Sequence, residues 1–209
     1  MICAAVGVII GIGLSLAAFT FGWVPAPKVK GEKILTTDVK PPVTNARLVE
    51  MAYDILEAIK ERDFKKLAGF VHPEYGVVFS PYATINLVTN KCFTAAQVEA
   101  FPQDDTKYVW GLFDGSGEPI EMTPAQYFDR FVMDKDYTQA EQIGINKIIR
   151  SGNALENIDE VFPNARYVDF HIEGSPEHTG LDWGSLRLGF EDYNGELRLT
   201  IILHSEWTI

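Results

Sequence analysis

The dipeptide Asn194-Gly195 restricts the fold of this chain more than any other feature of its sequence. Segments in which apolar and polar residues alternate flank it on both sides. An Asn-Gly pair in this setting is typical of a two-residue loop that joins antiparallel strands. With this loop, Glu191 lies opposite Arg198, and apolar residues mostly face apolar residues. The sequence therefore predicts a long C-terminal hairpin.

The pairing register decides which side chains of the hairpin turn toward the core. If every step along one strand is matched by one step along the other, Leu203 lies opposite a leucine of the first strand. This register places Ser205 and Trp207 on the apolar face with Leu203. It turns His204 and Glu206 to the opposite face, where we expect an exposed or partner-facing polar patch.

A third strand precedes the hairpin. In the segment ARYVDFHIE, apolar residues alternate with polar ones, which is the pattern of a strand with one buried face. Val168, Phe170 and Ile172 are expected to face the core. Asp169 and His171 are expected to share the outer face, in contact with solvent. Together with the hairpin, this strand predicts a three-stranded antiparallel meander.

Helical periodicity dominates the first part of the domain. Apolar residues recur at steps of three and four from Leu48 to Ile59, after a cap at Thr44 or its neighbour. A second short helix ends at His72-Pro73, because the residue before a proline is driven out of helical geometry. A strand is expected directly afterwards, over residues 77–79.

The middle of the chain contains weaker signals. Thr94 and Thr123 are predicted to cap two further helices, and short strands flank the glycine-rich turn at 114–117. This turn lacks the Lys-Ser/Thr pair of a phosphate loop. Residues 137–163 are expected to be a loop with short helices. Helices that pack on one side of a curved antiparallel sheet define an α+β domain, which is the fold class we predict.

The N-terminal segment is uncharged and apolar. Residues 2–24 contain 23 residues without a charge, and about 20 suffice to cross a bilayer as a helix. We interpret residues 1–24 as a transmembrane or signal-anchor segment that attaches the protein to a membrane. A cleaved signal peptide is the main alternative. A buried core helix is a weaker one, since such helices are usually shorter.

A linker follows the apolar segment. Residues 25–42 are rich in proline and lysine and are expected to be extended, so the folded domain spans 43–209. Lysines follow the apolar segment closely, and no basic residue precedes it. Under the positive-inside rule, this distribution favours a cytoplasmic domain. Large domains translocate despite such charges. We therefore expect an extracytoplasmic, membrane-anchored domain at the cell surface.

The charge of the chain limits its partners. Of 18 basic and 29 acidic residues, four and two, respectively, lie in residues 1–42, which leaves a net charge of −13 for the rest. A field of this sign repels phosphate backbones. We therefore expect no nucleic-acid partner.

Several segments of the domain resemble a known group of proteins. FVHPEYGVVFSPYA, WGLFDGSGEPI, YFDRFVMDKDY, GLDWGSLRLGFE and ILHSEWTI are similar to segments of exported or membrane-anchored bacterial proteins of unassigned function. The helical pair followed by an antiparallel sheet resembles the NTF2-like (cystatin-like, SnoaL-like) cone fold. That fold hosts isomerases, dehydratases, cyclases and non-catalytic binding or dimerisation modules, so the resemblance implies a fold and no reaction.

The sequence contains no recognisable set of reactive residues. The four histidines never form a pair at a spacing of three or four, no cysteine cluster occurs, and a G-x-S-x-G motif is absent. We therefore predict no catalytic residues, no metal and no cofactor. His72 is expected mainly to complete the end of a helix. The residues that we expect to line a pocket are Tyr127, Asp129, Arg130, Asp182, Trp183, Ser205, Trp207 and His72.

These features favour a membrane-tethered, extracytoplasmic, non-catalytic module that binds a small molecule, a peptide or a protein. The alternative is a cone-fold enzyme at the cell surface that performs isomerase- or hydrolase-type acid–base chemistry with Asp129 or Asp182. A third hypothesis is a homodimer formed through the outer sheet face. The residues expected in that interface are Tyr167, Trp183, Arg187 and Ile202.

Overall fold

The computed structural model describes residues 43–208. The predicted membrane segment and linker lie outside this range, and within it no helix has the length and apolar character needed to cross a membrane. The helices are α1 (Asn45–Lys60), α2 (Phe64–Phe70), α3 (Ala95–Ala100), α4 (Pro124–Tyr127) and α5 (Ile158–Val161). The strands are β1 (Val77–Ser80), β2 (Lys91–Phe93), β3 (Tyr108–Leu112), β4 (Pro119–Met122), β5 (Gln142–Ile145), β6 (Arg166–Ile172), β7 (Gly184–Tyr193) and β8 (Glu196–Glu206).

Six strands form the main sheet, in the order β2-β1-β8-β7-β6-β5. The predicted meander of β6, β7 and β8 is confirmed. The expectation of a wholly antiparallel sheet is wrong at one position, because β1 pairs with β8 in parallel. Strands β3 and β4 form a separate hairpin. The α+β class is confirmed, since α1 to α4 pack on one face of this sheet, whereas the short α5 packs on the other face.

The helix starts follow the capping signals of the sequence. Thr44, Thr94 and Thr123 each accept a hydrogen bond from a backbone N–H in the first helical turn. At Thr94 and Thr123, a glutamine three residues later bonds back to the cap, which completes a capping box. Helix α4 continues as a π-helical segment over Phe128–Val132. This segment carries Arg130 toward the end of β8.

Aromatic side chains fill the space between the helices and the inner face of the sheet. Phe79 of β1 is completely buried and lies 5.5 Å from Trp110 and 5.9 Å from Tyr127, between ring centroids. Trp110 and Tyr127 are stacked, with centroids 3.9 Å apart. Phe93, Phe101 and Phe128 also contact Phe79. The interior is therefore packed with rings in this region.

The loop of the C-terminal hairpin forms as predicted. Asn194 and Gly195 both have positive φ angles, of 56° and 77°, as a two-residue hairpin loop of this kind requires. The predicted register holds from the loop to the pair Phe190–Leu199. There it shifts by one residue, because Gly189 pairs with Ile201 and leaves Thr200 as an extra residue, a β-bulge.

The bulge reverses the predicted orientation of the end of β8. Beyond it, His204 lies opposite Leu186, whose side chain belongs to the inner core, and Ser205 lies opposite Ser185 on the outer face. The prediction that His204 and Glu206 face outward is therefore wrong. Leu203, which was expected on the inner face, instead packs in an apolar cluster on the outer face.

The outer face of the sheet is covered by the chain itself. Residues 146–162 pack on it through Ile158, and Glu156 pairs with Arg187 beneath them. Asp169 and His171, expected in solvent, are 0% and 1% exposed. The predicted loop over residues 137–163 also contains a strand, β5, which the sequence pattern did not indicate.

The surface patch invoked for a homodimer is likewise not exposed. Tyr167, Trp183 and Arg187 are buried under residues 146–162, and Ile202 lies in the inner core. Homodimerisation itself stays a prediction, but these side chains are not free to form its interface.

Candidate functional site

A cluster of polar side chains lies at the C-terminal end of β8. The extra residue of the bulge reverses the direction of the side chains beyond it, so His204 points inward. The His204 side chain is 0% exposed, and its Nδ1 lies 3.1 Å from the Pro81 carbonyl oxygen. A carbonyl oxygen only accepts, so we assign the proton to Nδ1. The other ring nitrogen, Nε2, carries a lone pair when the ring is neutral and a second N–H when it is protonated.

Asp134 approaches this nitrogen from the loop after the π-helical segment. Its Oδ1 lies 3.4 Å from His204 Nε2 and accepts a hydrogen bond of 2.9 Å from the Tyr137 hydroxyl. The carboxylate side chain is 17% exposed. Burial acts to raise the pKa of Asp134, but the neighbouring His204 ring and the Tyr137 hydroxyl outweigh it and hold the pKa below its ordinary value.

Glu206 completes the cluster and is held by an arginine. Its two oxygens lie 2.6 and 3.3 Å from the terminal nitrogens of Arg130, which is a bidentate ion pair. The Arg130 guanidinium also lies 4.4 Å from the centroid of the Phe131 ring. These contacts fix the orientation of the Glu206 carboxylate at the surface of the domain.

One ligand atom each from Asp134, His204 and Glu206 lies within 4.8 Å of the other two. Such a group of one imidazole and two carboxylates can hold a metal ion. Sequence spacing could not reveal it, because Asp134 precedes His204 by 70 positions. The alternation pattern also assigned His204 to the wrong face, so the prediction of no metal rested on spacing alone.

An open cleft adjoins the cluster. We name it the terminal cleft; it has a volume of about 600 Å³, and its principal side chains are Tyr82, Asp114, Arg130, Glu206 and Trp207. Gly115, Ser116 and Thr208 complete its lining. A second depression of about 530 Å³ shares Tyr82 and Asp114 with it and extends toward Asn153 and Leu155.

Hydrogen bonds fix the walls of the terminal cleft. The Thr208 hydroxyl is within hydrogen-bonding distance of Asp114 and donates its single proton to that carboxylate or to Asn153 Oδ1, and the Thr208 backbone N–H also donates to Asn153 Oδ1, at 3.3 Å. Tyr82 is partly buried, and its burial together with the nearby charge of Glu206 raises the pKa of its hydroxyl. Tyr82 therefore remains a neutral hydrogen-bonding group at physiological pH.

The structure brings together two of the predicted pocket residues. Arg130 and Trp207 both line the terminal cleft, and the Trp207 side chain is 44% exposed. Tyr127 lies in the aromatic core, where burial raises the pKa of its hydroxyl well above the ordinary value. Asp129 lies at the surface and pairs with Arg62.

The remaining predicted pocket residues lie elsewhere. Trp183 is buried on the outer face, and Ser205 is buried opposite Ser185. Asp182 accepts hydrogen bonds of 2.6 and 2.9 Å from the backbone and hydroxyl of Ser175, which close a local turn. These three residues do not join the terminal cleft.

His72 closes a turn after helix α2. Its ring is buried, and its Nδ1 accepts hydrogen bonds from the backbone N–H groups of Glu74 and Tyr75, at 3.2 and 3.0 Å. Burial lowers the pKa of this histidine. A nitrogen that accepts two hydrogen bonds must be unprotonated, so the geometry and the direction of the pKa shift agree with a structural role.

Comparison with known proteins finds distantly similar structures but no similar sequence. No protein-family model matches the chain, and no curated protein sequence is similar to it. The structure of Aln2 from a Streptomyces species is 10% identical, with a TM-score of 0.34, and the alignment covers 79% of this chain and 93% of that one.

Two further solved structures are similar at the same level. A putative calcium/calmodulin dependent protein kinase II association domain from Xanthomonas campestris is 15% identical, with a TM-score of 0.32, over 79% of this chain and 90% of that one. An NTF-2 like protein of unknown function from Shewanella oneidensis is 10% identical, with a TM-score of 0.30, over 76% and 95%. At these identities and TM-scores, no ligand, reaction or partner carries over to this chain.

Proposed function

We propose that this chain is a non-catalytic binding module whose ligand occupies the terminal cleft. One observation carries the proposal: rings fill the interior beneath the sheet, whereas the terminal cleft presents an exposed indole beside charged and hydroxyl groups. The volume of the cleft falls within the range of about 300–1,000 Å³ that small-molecule sites occupy.

The groups at the cleft favour binding over acid–base catalysis. His204 is completely buried, and a general base must come within hydrogen-bonding distance of the proton that it removes. Glu206 is paired with Arg130 through both oxygens, so its carboxylate is not free to act on a bound molecule. Asp129 and Asp182, which the enzyme hypothesis invoked, do not line the terminal cleft.

The lining of the cleft is suited to a saccharide. An exposed indole offers a flat apolar surface, and Trp207 supplies one. The carboxylate of Asp114, the guanidinium of Arg130 and the Tyr82 hydroxyl offer directional hydrogen bonds around it. A sugar ring matches this combination, because it has an apolar C–H face and several hydroxyl groups at its edge.

A saccharide titration tests the proposal. The full-length chain in lipid nanodiscs is titrated calorimetrically with glucose, galactose, N-acetylglucosamine and their disaccharides. We expect at least one to bind, and Trp207→Ala to weaken that binding about 10-fold or more, which corresponds to the contact of one aromatic anchor. Bound sugar is also expected to protect Trp207 fluorescence from an external quencher.

Tyr75→Ala is the matched control, because Tyr75 is an exposed aromatic residue that does not line the cleft. Failure of all these sugars to bind would contradict the saccharide class. Binding that is unchanged in Trp207→Ala would contradict the site. Chemical conversion of the bound sugar, followed by mass spectrometry, would contradict the non-catalytic role.

We also propose that residues 2–24 tether this module to a membrane with the domain outside the cytoplasm. The uncharged length of the segment supports tethering. Protease added to intact cells is expected to remove the domain from the cell surface. A domain that survives on intact cells, and is degraded only after lysis, would place it in the cytoplasm instead.

A further inference from the structure

We propose that Asp134, His204 and Glu206 form a binding site for a divalent transition-metal ion, of which Zn²⁺ is the best match. The site adjoins the terminal cleft through Glu206 but requires no ligand in that cleft. Three observations support it: an unpaired buried nitrogen, two converging carboxylates, and contacts that hold all three side chains in place.

The imidazole of His204 has the arrangement of a metal ligand. Its Nδ1 donates to the Pro81 carbonyl, and metal-binding histidines almost always donate their second ring N–H to a carbonyl or carboxylate. Its Nε2 is buried and has no hydrogen-bond partner within residues 43–208. A buried polar atom left unpaired is unfavourable. A metal ion would satisfy it.

The two carboxylates lie at a suitable distance. Asp134 Oδ1 is 3.4 Å from His204 Nε2, and adjacent ligand atoms on a tetrahedral zinc ion are about 3.3 Å apart. All three ligand atoms fit within 4.8 Å, so a side-chain adjustment of at most about 1.5 Å brings the Glu206 oxygen to the same spacing. Within the described part of the chain, His204 Nε2 makes no hydrogen bond, so a bound ion would replace its 3.4 Å charge contact with Asp134.

Neighbouring side chains hold the carboxylates in position. The Tyr137 hydroxyl donates to Asp134, and the Arg130 guanidinium binds Glu206. Such outer contacts orient the ligands of metal sites.

The donor set indicates the class of metal. Imidazole suits Zn²⁺ and neighbouring transition metals, whereas Mg²⁺ and Ca²⁺ prefer oxygen ligands alone. Three protein ligands leave the fourth zinc position to water or another ligand. Because Glu206 lines the terminal cleft, the ion would lie at the wall of that cleft.

Calorimetric titration of the chelator-treated, full-length chain with zinc chloride tests this inference. We expect one equivalent of Zn²⁺ to bind and to raise the melting temperature, with no comparable effect of Mg²⁺. His204→Gln is expected to weaken binding about 100-fold or more, and Glu206→Gln about 10-fold. Circular dichroism checks that each variant is folded.

The controls are residues that could bind zinc elsewhere. Cys92→Ser removes the exposed thiol. His178→Gln removes a surface histidine that pairs with Asp182. Neither is expected to change the affinity. If His204→Gln fails to fold, visible absorption of the Co²⁺-loaded wild-type chain, and its loss in Asp134→Asn, give the answer instead.

Two results would overturn the inference: no binding of Zn²⁺ beyond that of Mg²⁺, or zinc affinity that survives in all three ligand variants. In the first case, His204 and Asp134 form a metal-free structural pair. No readout here involves a saccharide, so the metal site and the proposed function can fail separately.

Discussion

We expect Arg187→Met to lower the free energy of unfolding by about 3–5 kcal/mol, because it leaves buried carboxylates without a counter-charge. Arg187 is 0% exposed. Its Nη1 lies 2.7 Å from Glu156, and its Nη2 lies 3.6 Å from Asp169. Urea denaturation, followed by far-UV circular dichroism, measures the change.

The size of this effect follows from where the charges lie. Asp169 is completely buried on the outer face of the sheet, and one of its oxygens accepts a hydrogen bond of 2.8 Å from the Ile149 backbone. Burial raises the pKa of Asp169, and the positive charge of Arg187 acts against that rise. Without the guanidinium, the carboxylate either takes up a proton or remains charged in an apolar environment, and both are unfavourable at neutral pH.

A surface pair provides the control. Arg47 pairs with Glu50 at 2.8 Å, but both side chains are more than half exposed, and Arg47→Met is expected to change stability by less than about 1 kcal/mol. Exchanging Asp169 for leucine in the Arg187→Met background should restore part of the stability, because a buried pair can be replaced by apolar residues. Equal effects of Arg187→Met and Arg47→Met would show that residues 146–162 do not cover Arg187.

Phe79→Ala is expected to lower the free energy of unfolding by about 3–5 kcal/mol. Phe79 is fully buried and contacts five other aromatic rings, so its removal leaves a cavity that rigid neighbours cannot close. Thermal and urea denaturation of the variant measure the loss. Phe113→Ala is the control, because Phe113 is only partly buried. This substitution should lower the free energy of unfolding by less than half as much.

This prediction also tests the proposed function. A loss below about 1.5 kcal/mol for Phe79→Ala would indicate a loosely packed interior. Such an interior has room for a ligand beneath the sheet, and the alternative of a cone-fold enzyme would then regain support. The expected large loss agrees with a ligand that binds at the terminal cleft.

Much of the secondary structure could be predicted from the sequence, because its signals are local. The caps at Thr44, Thr94 and Thr123 depend on residues within one turn. The Asn194-Gly195 loop depends on two residues that tolerate positive φ angles. The alternation in β6 correctly identified Val168 and Phe170 as inward-facing. Strand β5 was missed because the pattern of its four residues, two of them exposed, is too short to indicate a strand.

The candidate site could not be predicted, because it depends on the single extra residue at Thr200. Leu199, Ile201, Ile202 and Leu203 are all apolar, so no alternation around Thr200 reveals the shift. In three dimensions Ile201 packs over Gly189, where a Cβ atom would lie 2.5 Å from the isoleucine side chain. This close contact across the strands accompanies the shift in register.

The amino-acid sequence by itself determined the α+β class, the helix starts and the loop that pairs β7 with β8, since each depends on residues a few positions apart. Tertiary structure alone decided which face His204 and Glu206 occupy and that residues 146–162 bury Asp169 and Arg187. Side-chain direction in a strand reverses at every residue, so one bulge formed by packing between distant residues moves a histidine from the predicted outer face into the interior.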